Sequence, residues 1–480
     1  MPALNNCLTI EDLKGLARRR VPKMFFDYAD SGSWTETTYR ENDSDFQTIK
    51  LRQRVAVNLE GRTLETDMLG VPVAMPVALA PTGTTGMQIA DGEIEAAKAA
   101  EMFGVPFTLS TMSICLIEDI AENTSAPFWF QLYVMRDRGF IEGLIDRAKA
   151  AKCSALVLTM DLQILGQRHK DIRNGLSAPP KFTLKHVWQM AIRPQWALGM
   201  LAFRNLVGHV ENVGDLGQLA AWTNSQFDPT LSWKDVGWVK ERFGGRVIVK
   251  GALDPEDARQ AVAHGADAVI VSNHGGRQLD GAPSSIRVLP EIVDAVGGRT
   301  EVYFDDGIRS GQDILKALAL GAKSTFIGHA FLYGLGAGGE AGVTRALEIL
   351  RRELDITMAL CGERDIKNVS VRTRIGGLTA AARRSRLEPD QAAASSLAPT
   401  MYCTSSSALV WAVAFSATLR PRCITMTRSV TAKASGRMWV MRMTGTPRSR
   451  SVRMSSSTLC CSGTPRLLVG SSMIMSLASQ

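Results

Sequence analysis

The chain is predicted to fold as a (β/α)8, or TIM, barrel. An N-terminal helical segment precedes the barrel, a long insert follows its fourth strand, and a C-terminal tail without order ends the chain. Three observations carry this. Eight short apolar runs recur, at Val77–Pro81, Phe107–Thr111, Phe128–Tyr133, Ala155–Asp161, Val247–Gly251, Ala268–His274, Glu301–Gly307 and Thr325–His329. Each closes in polar or glycine residues and is followed by a helical pattern. None alternates strictly with period two, as expected of strands buried on both faces of a parallel sheet. Eight βα units are the number that closes a barrel; a doubly wound open sheet is the competing architecture.

The first elements are helical. Thr9-Ile-Glu-Asp12 reads as a capped helix start, and Arg18-Arg19-Arg20 as its basic end. A second short pattern, with Met24, Phe25 and Phe26 facing inward around Tyr28, runs to Gly32. Within the barrel, Asp254-Pro255-Glu256-Asp257 and Ser310-Gly-Gln-Asp313 are helix starts with a side-chain cap, the former with proline in the first turn.

The formal charge of +8 over 480 residues is unevenly placed. Residues 371–480 carry 15 Lys and Arg against two acids, so residues 1–370, with 40 bases against 45 acids, stand at about −5. The body therefore lacks the basic footprint of a nucleic-acid binder. Its four cysteines are scattered, no CxxC or other metal-ligand spacing appears, and reduced thiols in a cytosolic compartment are expected. No signal peptide opens the chain, and no apolar stretch is long enough to span a bilayer. A cytoplasmic protein, soluble or attached to a membrane surface, is the expectation. Residues 1–370 are assigned to one catalytic domain. Residues 371–480, rich in Ser, Thr, Arg and Met and without periodicity, are read as a low-order basic tail with no function. An out-of-frame extension accounts for that composition; a genuine basic tail is the alternative.

Over eighty residues separate the fourth and fifth runs. The insert, about residues 176–222, contains an acid-free stretch from Lys181 to His209. There Lys181, Lys185, Arg193 and Arg204 alternate with Trp188, Met190, Ile192, Trp196, Leu198, Met200, Leu201 and Phe203. Basic residues among Trp, Met and Leu suit a segment lying in anionic headgroups. A lid over the barrel or a subunit contact would use the same composition.

Catalytic groups of a barrel collect at the C-terminal strand ends. Those ends supply Thr82 and Gly83, Ser110, Gln131 and Tyr133, Thr159 and Asp161 with Arg168 beyond, Lys250, His274 with Arg277, Asp305 with Gly307 and Arg309, and Gly328. A base beside a guanidinium fork, as in His274-Gly-Gly-Arg277, suits a substrate with a removable proton and a carboxylate. The loops after strands seven and eight form the usual phosphate cradle of such barrels, to which Arg309 adds charge. The set would hold a phosphate-bearing cofactor with a planar ring. The glycine pattern from Gly334 to Gly339 does not join a strand to a helix and is discounted.

In order along the chain, FQLYV, LTMDLQILGQRHKD, VIVKG, SNHGGRQLD and FDDGIRSGQD resemble the FMN-dependent L-2-hydroxy acid dehydrogenase/oxidase family, from about Thr9 to Ser370. The wording around LQILGQRHKD and the Trp-rich insert are most similar to the bacterial respiratory L-lactate dehydrogenases. The resemblance implies FMN as cofactor, a small 2-hydroxy acid such as L-lactate, mandelate or glycolate as substrate, and a membrane quinone or cytochrome as electron acceptor. It also implies a homotetramer on the inner face of the cytoplasmic membrane. It assigns His274 as the base oriented by Asp161, and Arg277 and Arg168 as carboxylate ligands. Tyr133 and Tyr28 would hydrogen-bond the substrate, with Lys250 beside the flavin. Thr82, Gly83, Ser110, Gln131 and Thr159 match flavin contacts; Asp305, Gly307, Arg309 and Gly328 match the ribityl-phosphate end. Metal ligands are not implied.

Two positions depart from that pattern. Asp306 stands where the family has glycine in DGG, which would bring a carboxylate near the phosphate. His329 follows Gly328 where the family has arginine. Both changes are expected to weaken FMN binding, by about 1–3 kcal/mol each.

Overall fold

The computed structural model describes residues 2–176, 183–201, 208–209, 226–375 and the strand segments of 430–476. Eight parallel strands form one sheet: β1 (Val77–Leu79), β2 (Thr108–Ser110), β3 (Trp129–Tyr133), β4 (Ala155–Thr159), β5 (Arg246–Ala252), β6 (Ala268–Val271), β7 (Glu301–Phe304) and β8 (Ser324–Ile327). Their spatial order is the chain order closed on itself, with β8 paired to β1. A parallel bridge between Leu79 and Phe107 joins β1 to the start of β2. The ring is therefore a barrel, and the open-sheet alternative is excluded.

The strands are buried along nearly their whole length, because helices cover the outside and side chains fill the inside. Trp129, Tyr303 and Phe326 stack across the interior with ring centroids 5.9–6.4 Å apart. The antiparallel hairpin Thr66–Met68 and Val71–Val73 closes the N-terminal end. There the Leu69 amide donates to Glu301 and to the Tyr303 hydroxyl, at 3.1 and 3.0 Å. With that end plugged, only the C-terminal mouth is left to hold a ligand.

The expected helix starts are present. The Thr9 hydroxyl accepts from the Asp12 amide and the Asp12 carboxylate accepts from Thr9, a reciprocal capping box opening Ile10–Arg20. Asp254 caps Pro255–Ala263 with proline in the first turn, and Ser310 caps Gly311–Ala319. The glycine-rich run 334–339 lies inside the long helix His329–Leu360, kinked at Gly338 and Gly339, and packs rather than binds phosphate. The short strand Arg374–Ile375 pairs antiparallel with Lys50–Leu51, carrying the body slightly past the expected boundary at residue 370.

After the short helix His169–Arg173, the insert contributes two described helices, Leu184–Ala191 and Pro194–Leu201. Lys181, Arg204 and Phe203 fall outside the described residues. The insert's large apolar residues divide between two sides. Trp196 stacks on Phe25 at 5.2 Å and donates its indole N–H to the Met87 carbonyl at 3.0 Å, while Met190 and Met200 pack on the core. Leu184, Val187, Trp188, Ile192 and Leu198 remain exposed. No helix among the described residues is long and apolar enough to cross a membrane.

A second unit, 389–480, is distinct from the body. Its described residues are the strands Val430–Ala434, Arg437–Thr444, Ser451–Leu459 and Met473–Ser476, paired antiparallel in chain order. The expectation of a tail without order falls mostly on residues outside those described.

Candidate active site

A cavity of about 640 Å³ opens at the C-terminal mouth of the barrel. Thr82, Gly83, Tyr28, Tyr133, Arg168, Lys250, His274, Arg277, Asp305, Gly307, Arg309, Gly328 and His329 all line it. Ser110 and Thr159 sit buried at the ends of β2 and β4, and Gln131 in the middle of β3, without lining it. The Ser110 hydroxyl donates to Gln131 Oε1 at 2.9 Å. That bond leaves Gln131 Nε2 buried with no partner among the described residues.

Asp161 follows β4 and His274 follows β6. The barrel's curvature brings His274 Nδ1 to 3.0 Å from Asp161 Oδ1. Burial alone would raise the Asp161 pKa, but the His274 and Lys250 charges and the bond from His274 outweigh it and hold the carboxyl below its ordinary value. With Nδ1–H donated to a carboxylate, the imidazole Nε2 is left as the acceptor. Gly251 makes room for the pair: a Cβ there would lie 2.7 Å from the Asp161 Cβ and Cγ.

Lys250 is buried between Ser272 Oγ and Asp305 Oδ2, each 2.8 Å from its ammonium. Burial would lower its pKa, yet Asp305, Asp306 and Asp161 raise it, so the lysine is a fixed cation. Asp305, expected at the phosphate end, is thus occupied by Lys250.

The two arginines converge on one tyrosine. The Arg277 and Arg168 guanidinium carbons lie 4.8 and 5.3 Å from the Tyr28 ring centroid. Arg277 Nη1 donates to the Tyr28 carbonyl at 2.6 Å and to the Ser31 carbonyl at 3.2 Å; Arg168 Nε pairs with Asp171 at 2.9 Å. Each fork is held at one edge by the protein. Burial and the neighbouring Arg168 charge lower the Arg277 pKa, and two cations this close mark a place for an anion. Burial would raise the Tyr28 pKa, but Arg168 and Arg277 bring it below its ordinary value.

The two departures lie in different surroundings. Asp306 lines the cavity, but its carboxylate turns toward the loop after β6. It accepts from the Asn273 and Gly275 amides, each at 2.7 Å, and from Ser285 Oγ at 2.6 Å. All three of these bonds are made to the loop after β6 and to Ser285. His329 is half-buried at the N-terminus of its helix, with ring centroids 5.5 Å from Tyr39 and 6.0 Å from Tyr333. Both tyrosine hydroxyls donate to Asp30, at 2.5 and 2.6 Å. Burial and then Arg309 push the His329 pKa well down, and its Nε2 has no partner among the described residues. The ring replaces the lost guanidinium with a neutral nitrogen.

Sequence reasoning missed Gln278, which donates to the carbonyls of Asp161 and Ile164 at 2.9 Å. It also missed Ser272, Asp171, Asp30 and Tyr39. Gln278 stands inside the RQLD run and was findable; Asp30 and Tyr39 belong to segments with no strand-end signature. Among the described residues no cluster of three or more His, Cys, Asp or Glu is placed to hold a metal ion.

Residues 17–374 match the family model described as FMN-dependent dehydrogenase. An L-lactate dehydrogenase of Ectopseudomonas mendocina (strain ymp) is 45% identical over 365 residues, covering 75% of this chain and 96% of that protein. One from Pseudomonas entomophila (strain L48) is 46% identical with the same coverage. A solved structure of the monotopic membrane protein (S)-mandelate dehydrogenase is 36% identical and superposes with a TM-score of 0.75, covering 78% of this chain and 100% of that one.

Proposed function

The chain belongs to the FMN-dependent dehydrogenase family, and on that premise we propose that it oxidises L-lactate to pyruvate and passes the electrons to a quinone or cytochrome of a respiratory chain. The carrying observation is the His274–Asp161 pair facing the Arg277–Arg168–Tyr28 cluster across one cavity. The choice of lactate over mandelate is supported by identities of 45–46% to L-lactate dehydrogenases against 36% to the mandelate enzyme.

The cavity fits FMN. Gln131 Nε2 and His329 Nε2 are buried donors or acceptors without a partner among the described residues, and such atoms are rare unless a ligand meets them. Arg309, Gly307, Gly328 and His329 would hold the phosphate where two helices begin, Gly311–Ala319 and His329–Leu360. Thr82 and Gly83, which line the cavity, would contact the ring, with Lys250 supplying positive charge beside it; Ser110, Gln131 and Thr159, expected as flavin contacts, lie outside that lining. When bound, FMN is the two-electron acceptor.

The remaining roles belong to the protein. Arg277 and Arg168 bind the substrate carboxylate, each with its outer edge pre-oriented by the bonds that fix the other edge. Tyr28 and Tyr133 orient the hydroxyl. His274 Nε2 takes one substrate proton, and Asp161 stabilises the resulting imidazolium. Leu162, Leu165 and Phe227 line the cavity and exclude water.

The exposed Leu184, Val187 and Trp188, beside Lys185, support attachment to an anionic membrane surface. Assembly as a homotetramer belongs to the same reading. Anaerobic addition of L-lactate to the purified yellow protein should bleach the flavin. Faster bleaching by mandelate would overturn the substrate and leave the reaction class standing.

A further inference from the structure

The loop carrying the base is unusual in its backbone. His274, Gly275 and Gly276 all adopt positive φ, at 61°, 68° and 70°. For a non-glycine residue that conformation persists only where the surroundings hold it. Gly276 has no alternative residue, since a Cβ there would lie 2.5 Å from the Tyr39 amide nitrogen. His274 has a side chain and must be restrained.

The restraint can be traced through four successive amides. The His274 N–H donates to Ser272 Oγ at 3.0 Å, and the Gly276 N–H to Asn273 Oδ1 at 2.9 Å. The other two, Asn273 and Gly275, flank the base on either side. Both donate to Asp306, one to each carboxylate oxygen. Asp306 comes from the loop after β7 and has φ 84°, itself in the left-handed region. Its second oxygen is fixed further by Ser285 Oγ. Through these two bonds one side chain holds the backbone on both sides of the base.

We propose that Asp306 is the positioning residue for the catalytic base: its carboxylate clamps the Asn273 and Gly275 amides and so holds the left-handed turn that aims His274 at the substrate and at Asp161. This deepens the reading of His274 as base. The carboxylate is needed, because two N–H groups aimed at opposite oxygens require an acceptor at both. An amide offers one acceptor and would set its NH2 against the remaining N–H. The side chain acts through His274, because its carboxylate is turned onto the loop backbone.

The test uses the FMN-loaded full chain with Asp306→Asn and, in parallel, Asp306→Gly, which removes the carboxylate and relieves the positive φ. Backbone hydrogen exchange over 272–277 should quicken at least tenfold in both variants, with β3 and β4 unchanged. The flavin spectrum should be preserved. The kcat for flavin reduction should fall at least tenfold with KM within about twofold, because the arginines that bind the carboxylate are untouched. Unchanged exchange in both variants overturns the inference, whichever 2-hydroxy acid the enzyme takes. Faster exchange with undiminished kcat overturns it equally. A loss confined to KM would assign Asp306 to substrate binding instead.

Discussion

His274 Nδ1 and Asp161 Oδ1 meet at 3.0 Å although 113 positions separate them in the chain. The carboxylate fixes which imidazole nitrogen carries the proton, and thereby leaves Nε2 basic toward the cavity. Replacing His274 by Gln should abolish lactate-driven flavin reduction, a loss of about 10²–10⁴-fold, the usual contribution of a positioned general base. Bound FMN should remain, since no flavin contact is removed. Stopped-flow absorbance decides this; a His274→Gln variant reduced at the native rate ends the proposed mechanism.

Arg277→Lys separates the second role. An ammonium cannot reproduce the fork that reaches the Tyr28 and Ser31 carbonyls at one edge while presenting its other edge to a carboxylate. The expected result is a KM for lactate raised by tenfold or more and a smaller change in kcat. A variant whose KM is unchanged would place the substrate carboxylate on Arg168 alone.

Much of this site was legible in the chain. A strand end in a parallel barrel faces one mouth, so apolar runs closing in Asp161, Lys250 and His274 converge whatever their spacing. The runs at Phe128–Tyr133 and Ala268–His274 became β3 and β6 because unbroken apolar segments suit burial on both faces. What could not be read was direction. Asp306 looked like a charge beside a phosphate, but its positive φ swings the carboxylate onto the neighbouring loop. Trp196 looked like its exposed neighbour Trp188, and only the position of Phe25 turns it inward to pack against the core. Both outcomes depend on partners far along the chain.

The buried Asp306 has a pH signature. Burial, and next the Asp305 charge, raise its pKa from 3.8 to about 6. The folded state therefore binds this proton more tightly than the unfolded chain. Its contribution to stability is full below about pH 3.8 and is lost as pH rises through about 6. At saturating FMN, the native melting temperature should contain a component that falls across that window and is missing in Asp306→Asn. Activity should move oppositely, because only the ionised carboxylate accepts from both amides. Parallel pH profiles for the two proteins would contradict the assignment.

His329 should matter to FMN but little to riboflavin, which lacks the phosphate. A hydrogen bond from a neutral imidazole contributes about 0.5–1.5 kcal/mol, so His329→Ala should weaken FMN about two- to tenfold. Riboflavin affinity, read by quenching of flavin fluorescence, should stay level. An equal loss for both ligands would mean that the ring only packs against Tyr39 and Tyr333.

The membrane reading turns on a few side chains. Leu184, Val187, Trp188 and Ile192 recur at helical spacing on and just beyond Leu184–Ala191, and all four are exposed. Each buried among acyl chains would contribute about 1.5–3 kcal/mol, and a base such as Lys185 about 1 kcal/mol near an anionic surface. The body itself is net negative and would be repelled, so attachment has to be local. Removing the whole insert is a poor test, because Trp196 packs on Phe25 and the buried His209 accepts from the Ile117 amide at 3.1 Å. Changing only Leu184, Val187, Trp188 and Ile192 to Gln or Ser leaves those inward contacts in place. The altered protein should leave anionic vesicles for the supernatant while lactate still bleaches its flavin at the native rate. Electron transfer to a quinone dissolved in the vesicle should drop with it. If the quadruple variant sediments with vesicles as the native chain does, this face is a lid or a subunit contact.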